Sequence, residues 1–292
     1  MTRGNWKTVG MDLPLSRAAV PRLEFLATAG STNDELREAA TGPEASAWPH
    51  GSVIVTDDQT RGRGRLGRTW LAPTGKTLAI SVLLRPEVPG GAPFPPEAYG
   101  WIPLIAGAAM TEAVRRAVES AASAAAGEPD EDDGSGGVEV ELKWPNDVLV
   151  SGYKVCGILS ELLPETGAVV VGAGLNLTLD EHDLPTLTST SILLVTGVQP
   201  DVDRVLADYL RTFLALLRAF AEHGGDAAAS GIAARVSGLC GTLGADVRVE
   251  LPGGVELVGA AERLDADGRL VVRDRNAEPQ SVAAGDVTHL RY

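Results

Sequence analysis

The order of apolar and polar positions predicts an α/β core. Apolar runs rich in β-branched residues at 23–27, 52–56 and 77–84 predict strands. Residues 101–119 and about 202–222 repeat apolar positions at helical spacing. In the second segment the core positions are Val205, Tyr209, Phe213, Leu216, Leu217 and Phe220. Further strands are predicted at 138–143, 147–151, 153–163 and 168–172.

Two segments offer little to a core. Residues 1–20 are predicted to be a flexible N-terminal tail. Residues 120–137 are small, acidic and Gly-rich, which predicts a disordered surface insertion.

After Ser31, the pattern Thr32–Glu35 predicts a capping box with Thr32 as the helix N-cap. The helix is expected to run to about Ala40.

The pattern changes near residue 238. Short alternating segments separated by Gly-rich breaks predict a small antiparallel β-barrel over 238–292. The predicted fold class is therefore α+β: a mixed β-sheet catalytic domain flanked by helices over 21–237, followed by this β domain. Residues 57–76 between two strands are polar and rich in Gly and Arg, and a loop of that length is usually functional or disordered.

Composition narrows the classes of function. The formal net charge of −14 argues against general nucleic-acid binding, because phosphate backbones are repelled. The sequence has no apolar run near the ~20 residues of a membrane span and no signal-peptide core, so a cytoplasmic protein is expected. The two cysteines do not suffice for a disulfide framework or a metal site, and Cys156 is predicted to be a buried thiol.

Lysine is scarce in this chain. Only Lys7, Lys76, Lys143 and Lys154 occur, and arginine supplies the other basic side chains. A retained lysine is a weak indication that an ammonium group is specifically needed.

The motif with the most chemical content is Gly62-Arg63-Gly64-Arg65-Leu66-Gly67-Arg68-Thr69-Trp70. Its glycines allow close backbone approach to a ligand, its arginines are planar donors for phosphate or carboxylate, and its tryptophan offers an apolar wall. The alternative is a disordered arginine-rich arm that binds RNA or a partner. The position of the motif between two apolar strands of an acidic protein favours a ligand loop.

Three more motifs are ambiguous when taken singly. Lys143-Trp144-Pro145-Asn146-Asp147 fits a polar site or an ordinary turn. Lys154, in an apolar strand with Gly157, fits an anion contact or a lysine that reaches solvent. The glycines of Val171-Gly172-Ala173-Gly174-Leu175-Asn176 fit a ligand pocket or a turn. No Walker A sequence or dinucleotide fingerprint is present.

Taken together, Ser31-Thr32-Asn33, Gln59, the GRGRLGR-x-W loop, KWPND, K-x-x-GIL-x-E and VGAGLN resemble the biotin protein ligase family in order and spacing. The resemblance covers about residues 23–225, and the C-terminal β region is similar to the C-terminal domain of that family. It implies a class II synthetase-like biotin/lipoate ligase fold with an SH3-like β-barrel. About thirty residues precede Ser31, so the monofunctional type without an N-terminal DNA-binding domain is expected.

The resemblance also implies roles for individual residues. It assigns contacts to the biotin rings, and the lining of the biotin pocket, to Ser31, Thr32, Asn33, Gln59, Gly62, Gly157 and Gly172. It assigns contacts to the biotin carboxylate and the adenylate phosphate to Arg63, Gly64, Arg65 and Lys154. The nucleotide side comprises Arg65, Arg68, Trp70, Lys143, Asn146 and Asn176. Lys154, Arg65 and Asp147 would be catalytic.

The implied activity is formation of biotinyl-5'-AMP from biotin and ATP, followed by transfer of biotin to a lysine of a biotin carboxyl carrier domain of an acetyl-CoA or acyl-CoA carboxylase. Mg²⁺ is expected mainly on the ATP phosphates. Neither nucleic acid nor a membrane is an expected partner. The alternatives are a lipoate or octanoate ligase of similar fold, a biotin-sensing regulator, and a non-enzymatic adaptor.

Overall fold

The structure, a computed structural model, describes residues 11–125, 138–251 and 253–290. Residues 1–10 of the predicted tail and residues 126–137 of the predicted insertion lie outside the described residues.

Seven strands form the larger sheet, in the spatial order β1-β2-β5-β9-β8-β7-β6. These strands are β1 (Leu23–Phe25), β2 (Val53–Thr56), β5 (Thr77–Leu84), β6 (Val140–Lys143), β7 (Asp147–Val150), β8 (Tyr153–Leu163) and β9 (Ala168–Asn176). The pair β1–β2 is parallel and the other pairs are antiparallel, which makes this a mixed sheet. A separate hairpin of β3 (Gly62–Arg63) and β4 (Thr69–Trp70) lies within the predicted long loop.

Helices flank the sheet as the sequence predicts. They are α1 (Pro14–Arg17), α2 (Thr32–Thr41), α3 (Trp101–Ala125), α4 (Ile192–Thr196), α5 (Val202–Glu222) and α6 (Ile232–Leu239). Short 3₁₀ turns occur at Ala45–Ala47, Arg65–Gly67 and Pro96–Gly100. The apolar face predicted for α5 is confirmed, because all six of its predicted core side chains are buried in the main core together with Trp101 of α3.

The C-terminal region is a five-stranded antiparallel sheet in the order β13-β12-β11-β10-β14. Its strands are β10 (Asp246–Leu251), β11 (Val255–Leu264), β12 (Leu270–Asp274), β13 (Pro279–Val282) and β14 (Asp286–His289). Among the described residues β13 and β14 are its two edges, so the sheet is open where a closed barrel was expected. The turn after β11 contacts the larger unit, since Trp101 Nε1 donates to the Ala266 carbonyl oxygen at 2.7 Å.

The structure corrects the prediction of a tail at its second half. Leu13 is fully buried, and Ser16 Oγ donates to Asp203 Oδ1 of α5 at 2.7 Å. The short helix α1, which has Pro14 at its first position and the buried Leu13 before it, therefore packs onto α5. Residues 120–125 were assigned to the insertion, but they continue α3 to Ala125, since Ala and Ser in this stretch are compatible with a helix.

One predicted boundary also differs from the structure. The predicted domain limit at residues 237 and 238 falls inside α6, and the next strand begins at Asp246. No helix among the described residues has both the length and the apolar character needed to cross a membrane.

Candidate active site

A floor of glycines lies on the face of the larger sheet that α2 covers. Gly172 and Gly174 of β9 face this side, and Gly157 of β8 is paired with Gly174. A Cβ atom on Gly172 would lie 2.5 Å from Asn33 Oδ1, and one on Gly174 would lie 2.4 Å from Trp70 Cε2. Both distances are too short for real contacts, so glycine lets α2 and Trp70 approach the sheet.

Hydroxyl and amide groups fill one end of this floor. We call Ser31, Thr32, Asn33, Gln59 and Ser81 the hydroxyl–amide cluster. The Thr32 amide N–H donates to Gln59 Oε1 at 3.0 Å, and Ser81 Oγ lies 2.8 Å from Thr32 Oγ1 and 2.6 Å from Asn33 Oδ1. Ser31, Thr32, Asn33 and Ser81 are all buried. The cluster is thus a rigid, neutral hydrogen-bonding surface beside Gly172.

The start of α2 differs from the predicted capping box. The N-cap is Ser31, with no side-chain capping bond, and Thr32 is the first helical residue. The Thr32 hydroxyl is engaged by Gln59 and Ser81 at the site instead of by the helix backbone. A long-range contact has replaced the local cap because Ser81 lies in β5, against which α2 packs.

The arginine motif folds into the β3–β4 hairpin. Its tip is closed by Gly64 N–H donating to the Arg68 carbonyl oxygen at 2.7 Å, and Leu66 and Gly67 have φ values of 55° and 75°. Trp70 leaves β4 toward the sheet and covers Gly174. Its ring lies 5.6 Å from Lys154 Nζ, within reach of a cation–π interaction.

Four cations line the other end of the floor, in a cavity of about 440 Å³. We call Arg65, Arg68, Lys143 and Lys154 the cationic cluster. Lys154 Nζ pairs with Asp147 Oδ1 at 2.6 Å, and Arg68 pairs with Asp286 of β14. Arg65 Nη1 donates to Asn146 Oδ1 at 3.0 Å and to the Gly285 carbonyl oxygen at 3.4 Å. The cavity thus has walls from both sheets.

Burial disfavours the charges of two members of this cluster. Desolvation lowers the pKa of Lys143, and nearby Lys154 and Arg68 lower it further, against the opposing effect of Asp147. Desolvation also lowers the pKa of Arg65. Cations held close together and partly out of water favour an anionic ligand, which would supply the missing counter-charge.

The KWPND motif is the connection between β6 and β7. Lys143 is paired with Asp147 across this hairpin, and the Trp144–Pro145 peptide bond is cis. Asn146 Nδ2 donates to the Ile158 carbonyl oxygen at 2.9 Å, which holds the amide toward Arg65. The motif is therefore a turn and part of a polar site at once.

Two residues predicted for the site are placed differently from the rest. Asn176 Nδ2 donates to the Thr190 carbonyl oxygen at 2.9 Å, and Asn176 does not line the cavity. Arg63 turns away from the cationic cluster, and its Nη2 contacts Asp34 Oδ1 at 2.7 Å and Glu161 Oε2 at 3.0 Å.

The chain is similar to known proteins over most of its length. Residues 31–176 match the biotin/lipoate A/B protein ligase family, and residues 242–290 match the biotin protein ligase C-terminal domain. The chain is 36% identical over 271 residues to the biotin--[acetyl-CoA-carboxylase] ligase of Mycobacterium tuberculosis, covering 92% of this chain and 90% of that protein. This chain belongs to the biotin protein ligase family.

Solved structures of biotin protein ligases are similar throughout. The Aquifex aeolicus enzyme in complex with biotin and ATP is 26% identical with a TM-score of 0.69, covering 93% of this chain and 100% of that one. The Leishmania major enzyme in complex with biotinyl-5-AMP is 25% identical with a TM-score of 0.56, covering 90% and 99%.

The sequence reasoning missed three residues of this biotin ligase site. Ser81 is the one hydroxyl in the middle of the otherwise apolar segment AISVLL, which was a usable signal. Glu161 had been noted in K-x-x-GIL-x-E without a role. Asp286 lies in the C-terminal sheet, and no local pattern connects it with Arg68.

Proposed function

We propose that the protein activates biotin with ATP as biotinyl-5'-AMP, releases pyrophosphate, and transfers the biotinyl group to a lysine of a carrier domain. The observation that carries the proposal is the juxtaposition of two unlike clusters over one glycine floor. The neutral hydrogen-bonding end can bind an uncharged polar ring, and the cationic end can bind phosphates.

The ring end accounts for recognition. Biotin has a ureido group that can both donate and accept hydrogen bonds. Ser31, Thr32, Asn33 and Gln59 supply matching hydroxyls and amides around Gly172. Gly62 and Gly157 leave room, since a Cβ on Gly62 would lie 2.5 Å from the Trp70 carbonyl oxygen.

The cationic end accounts for adenylation. A carboxylate oxygen of biotin forms a bond to the α-phosphorus of ATP while the bond to the pyrophosphate oxygen breaks. The reaction brings anions together, and Lys154, Arg65 and Arg68 offset the repulsion and the charge on the departing pyrophosphate. Gly64 gives the hairpin backbone access to the phosphate. Trp70 shields the anhydride from water.

The remaining nucleotide contacts are assigned to Lys143 and Asn146. Lys143 and Asn146 line the cavity. The resemblance also assigns Asn176 to the nucleotide side; its Oδ1 is buried without a hydrogen-bond partner in the described structure, but it lies outside the cavity, so a nucleotide contact would require it to move.

The chain also fits Mg²⁺ carried on the phosphates. Among the described residues no group of three or more His, Cys, Asp or Glu side chains could hold a metal ion. Asp147 and Glu250 line the cavity and could add oxygen ligands. Mg²⁺ commonly takes most of its ligands from phosphate and water, and it would neutralise phosphate charge when bound.

In the transfer step the acceptor amine must be neutral to attack the acyl carbon, and AMP leaves. Asp147 is placed to orient this amine or accept its proton, since its carboxylate lies beside Lys154 in the cavity. The proposed acceptor is the biotin carboxyl carrier domain of an acetyl-CoA or acyl-CoA carboxylase, modified in the cytoplasm. We further propose that residues 21–237 form the catalytic domain and that the sheet over 238–292 is an SH3-like domain.

The test is ATP–pyrophosphate exchange with biotin, lipoate and octanoate as alternative acids. Exchange that depends on biotin alone is expected. Exchange supported equally by lipoate or octanoate would favour the rival ligase. A mobility-shift assay with DNA upstream of the gene separates an enzyme from a biotin-sensing regulator, and no saturable binding at physiological salt is expected.

A further inference from the structure

Glu161 of β8 contacts both the ring end of the site and the root of the arginine hairpin. Its Oε2 accepts from Asn33 Nδ2 at 2.7 Å and from Arg63 Nη2 at 3.0 Å. Its other oxygen, Oε1, pairs with Arg37 Nη2 of α2 at 3.0 Å. One carboxylate therefore joins the sheet, α2 and the hairpin.

The bond to Asn33 fixes the direction of that amide. With Nδ2 held by Glu161, the Asn33 oxygen faces Ser81, whose Oγ donates to it at 2.6 Å. Ser81 Oγ also lies 2.8 Å from Thr32 Oγ1, and the Thr32 backbone N–H donates to Gln59 Oε1 at 3.0 Å. Glu161 is thus connected to the hydroxyl–amide cluster through the Asn33 amide, whose orientation it sets.

The second contact concerns the hairpin. Arg63 is in β3, and its guanidinium is shared between Glu161 and Asp34 of α2. These pairs are partly exposed, so each contributes little stability alone, but they fix where the hairpin leaves the sheet. Arg63 therefore connects the hairpin to α2 and β8 beside the hydroxyl–amide cluster.

We propose that Glu161 is a positioning residue for biotin binding: it orients the Asn33 amide directly and holds the hairpin root through Arg63. This rests on the proposed function. It revises the role expected for Arg63, which the sequence placed on the biotin carboxylate.

The two contacts can be separated by two substitutions. Glu161→Ala removes the acceptor for Asn33 and the partner for Arg63. Glu161→Gln keeps an oxygen that can accept from Asn33 but removes the charge that holds Arg63. Glu165→Ala, in the exposed turn after β8, is the matched control.

Biotin affinity is measured by calorimetry without ATP, and adenylation by initial rates. Glu161→Ala is expected to weaken biotin binding by about tenfold, the usual effect of an unsatisfied buried donor. Glu161→Gln is expected to bind within about threefold of wild type, and kcat should change by less than about threefold in both. Wild-type affinity in Glu161→Ala, or a fall in kcat with affinity unchanged, overturns the proposal.

The hairpin contact has its own readout. Trypsin cleavage after Arg65 and Arg68, mapped by mass spectrometry, is expected to be about two- to fivefold faster in Glu161→Gln than in wild type. Glu165→Ala should be cleaved at the wild-type rate. Equal cleavage of all three proteins refutes the tie between Glu161 and the hairpin.

A double-substitution cycle guards against a general loss of folding. If Glu161 acts through Asn33, then Asn33→Ala/Glu161→Ala binds biotin no more weakly than Asn33→Ala. Independent, additive losses contradict the proposal. A wild-type protein that does not bind biotin would defeat the proposed function instead, so the two failures are distinguishable.

Discussion

The two ends of the site are built on opposite principles. In the hydroxyl–amide cluster all five side chains are neutral and come from the larger unit, and four of them, Ser31, Thr32, Asn33 and Ser81, are buried. In the cationic cluster Lys154 and Arg68 are paired with carboxylates, one of which belongs to the C-terminal sheet. We therefore expect the hydroxyl–amide end, the proposed ring end, to be preformed, and the cationic end, the proposed phosphate end, to exchange its carboxylate partners for the phosphates of a bound nucleotide.

We expect the largest loss of adenylation rate when a positive charge in the cationic cluster is displaced. Lys154→Arg should lower the adenylation rate by about 10²-fold or more, because a bulkier planar guanidinium would displace the charge from its position beside Trp70 and Asp147. The measurement is pyrophosphate exchange at saturating biotin and ATP.

Lys76→Arg is the matched control for this substitution. Lys76 is also ion-paired, to Asp180 at 3.0 Å and to Asp183, but it does not line the cavity. The Lys76→Arg variant should exchange pyrophosphate at the wild-type rate. Equal losses in the two variants would mean that lysine is needed for folding and not for the reaction.

The preformed end should be most sensitive to added volume. Gly172→Ala places a methyl group 2.5 Å from Asn33 Oδ1, which Glu161 and Ser81 hold in place. We expect the KM for biotin to rise by about tenfold or more, typical of overpacking at a rigid site. Gly238→Ala in α6, where nothing lies within 4 Å of the added carbon, should leave KM unchanged.

Salt should change the KM for ATP more than the KM for biotin, by a smaller factor than the substitutions above. Raising ionic strength shortens the range over which the cationic cluster attracts a triphosphate, and it barely affects neutral hydrogen bonds. The KM for ATP should rise several-fold between about 0.05 and 0.5 M salt, and the KM for biotin less. An equal response of both constants would show that the two ends are not electrostatically distinct.

The smallest expected effect concerns pH. Because burial lowers the pKa of Lys143 below its ordinary 10.5, this group loses its charge at a lower pH than a free lysine. Triphosphate binding favours the protonated form, so ATP binding takes up a proton and the KM for ATP should rise as pH increases toward 10.5. In Lys143→Arg this rise should be weaker, since the guanidinium stays charged. Identical KM–pH profiles would exclude Lys143 as the titrating group.

The sequence predicted the main strands, the two long helices and the motifs that meet at the cavity, since periodicity and local chemistry determine them. The predictions were wrong where a distant partner decides. Thr32 was expected to cap its own helix, yet Ser81 and Gln59 engage it. The five antiparallel strands of the C-terminal sheet were predicted, but alternation indicates strands and not how their edges meet, so closure into a barrel stays a prediction.

The direction of each arginine was also beyond sequence reasoning. Arg63, Arg65 and Arg68 alternate with glycines and are alike in the sequence. In the structure they contact Glu161, Asn146 and Asp286 respectively. Those partners come from β8, the β6–β7 turn and β14, so only the tertiary arrangement distinguishes the three side chains.

The pair Arg68–Asp286 has a consequence for chimeric enzymes. A recombinant that joins the first unit of this protein to the C-terminal sheet of a relative would keep Arg68 and could lose its carboxylate partner. The two residues therefore form one contact between the sheets, although 218 positions separate them. Modular exchange at the boundary between the sheets should succeed only when donor and recipient agree at both positions.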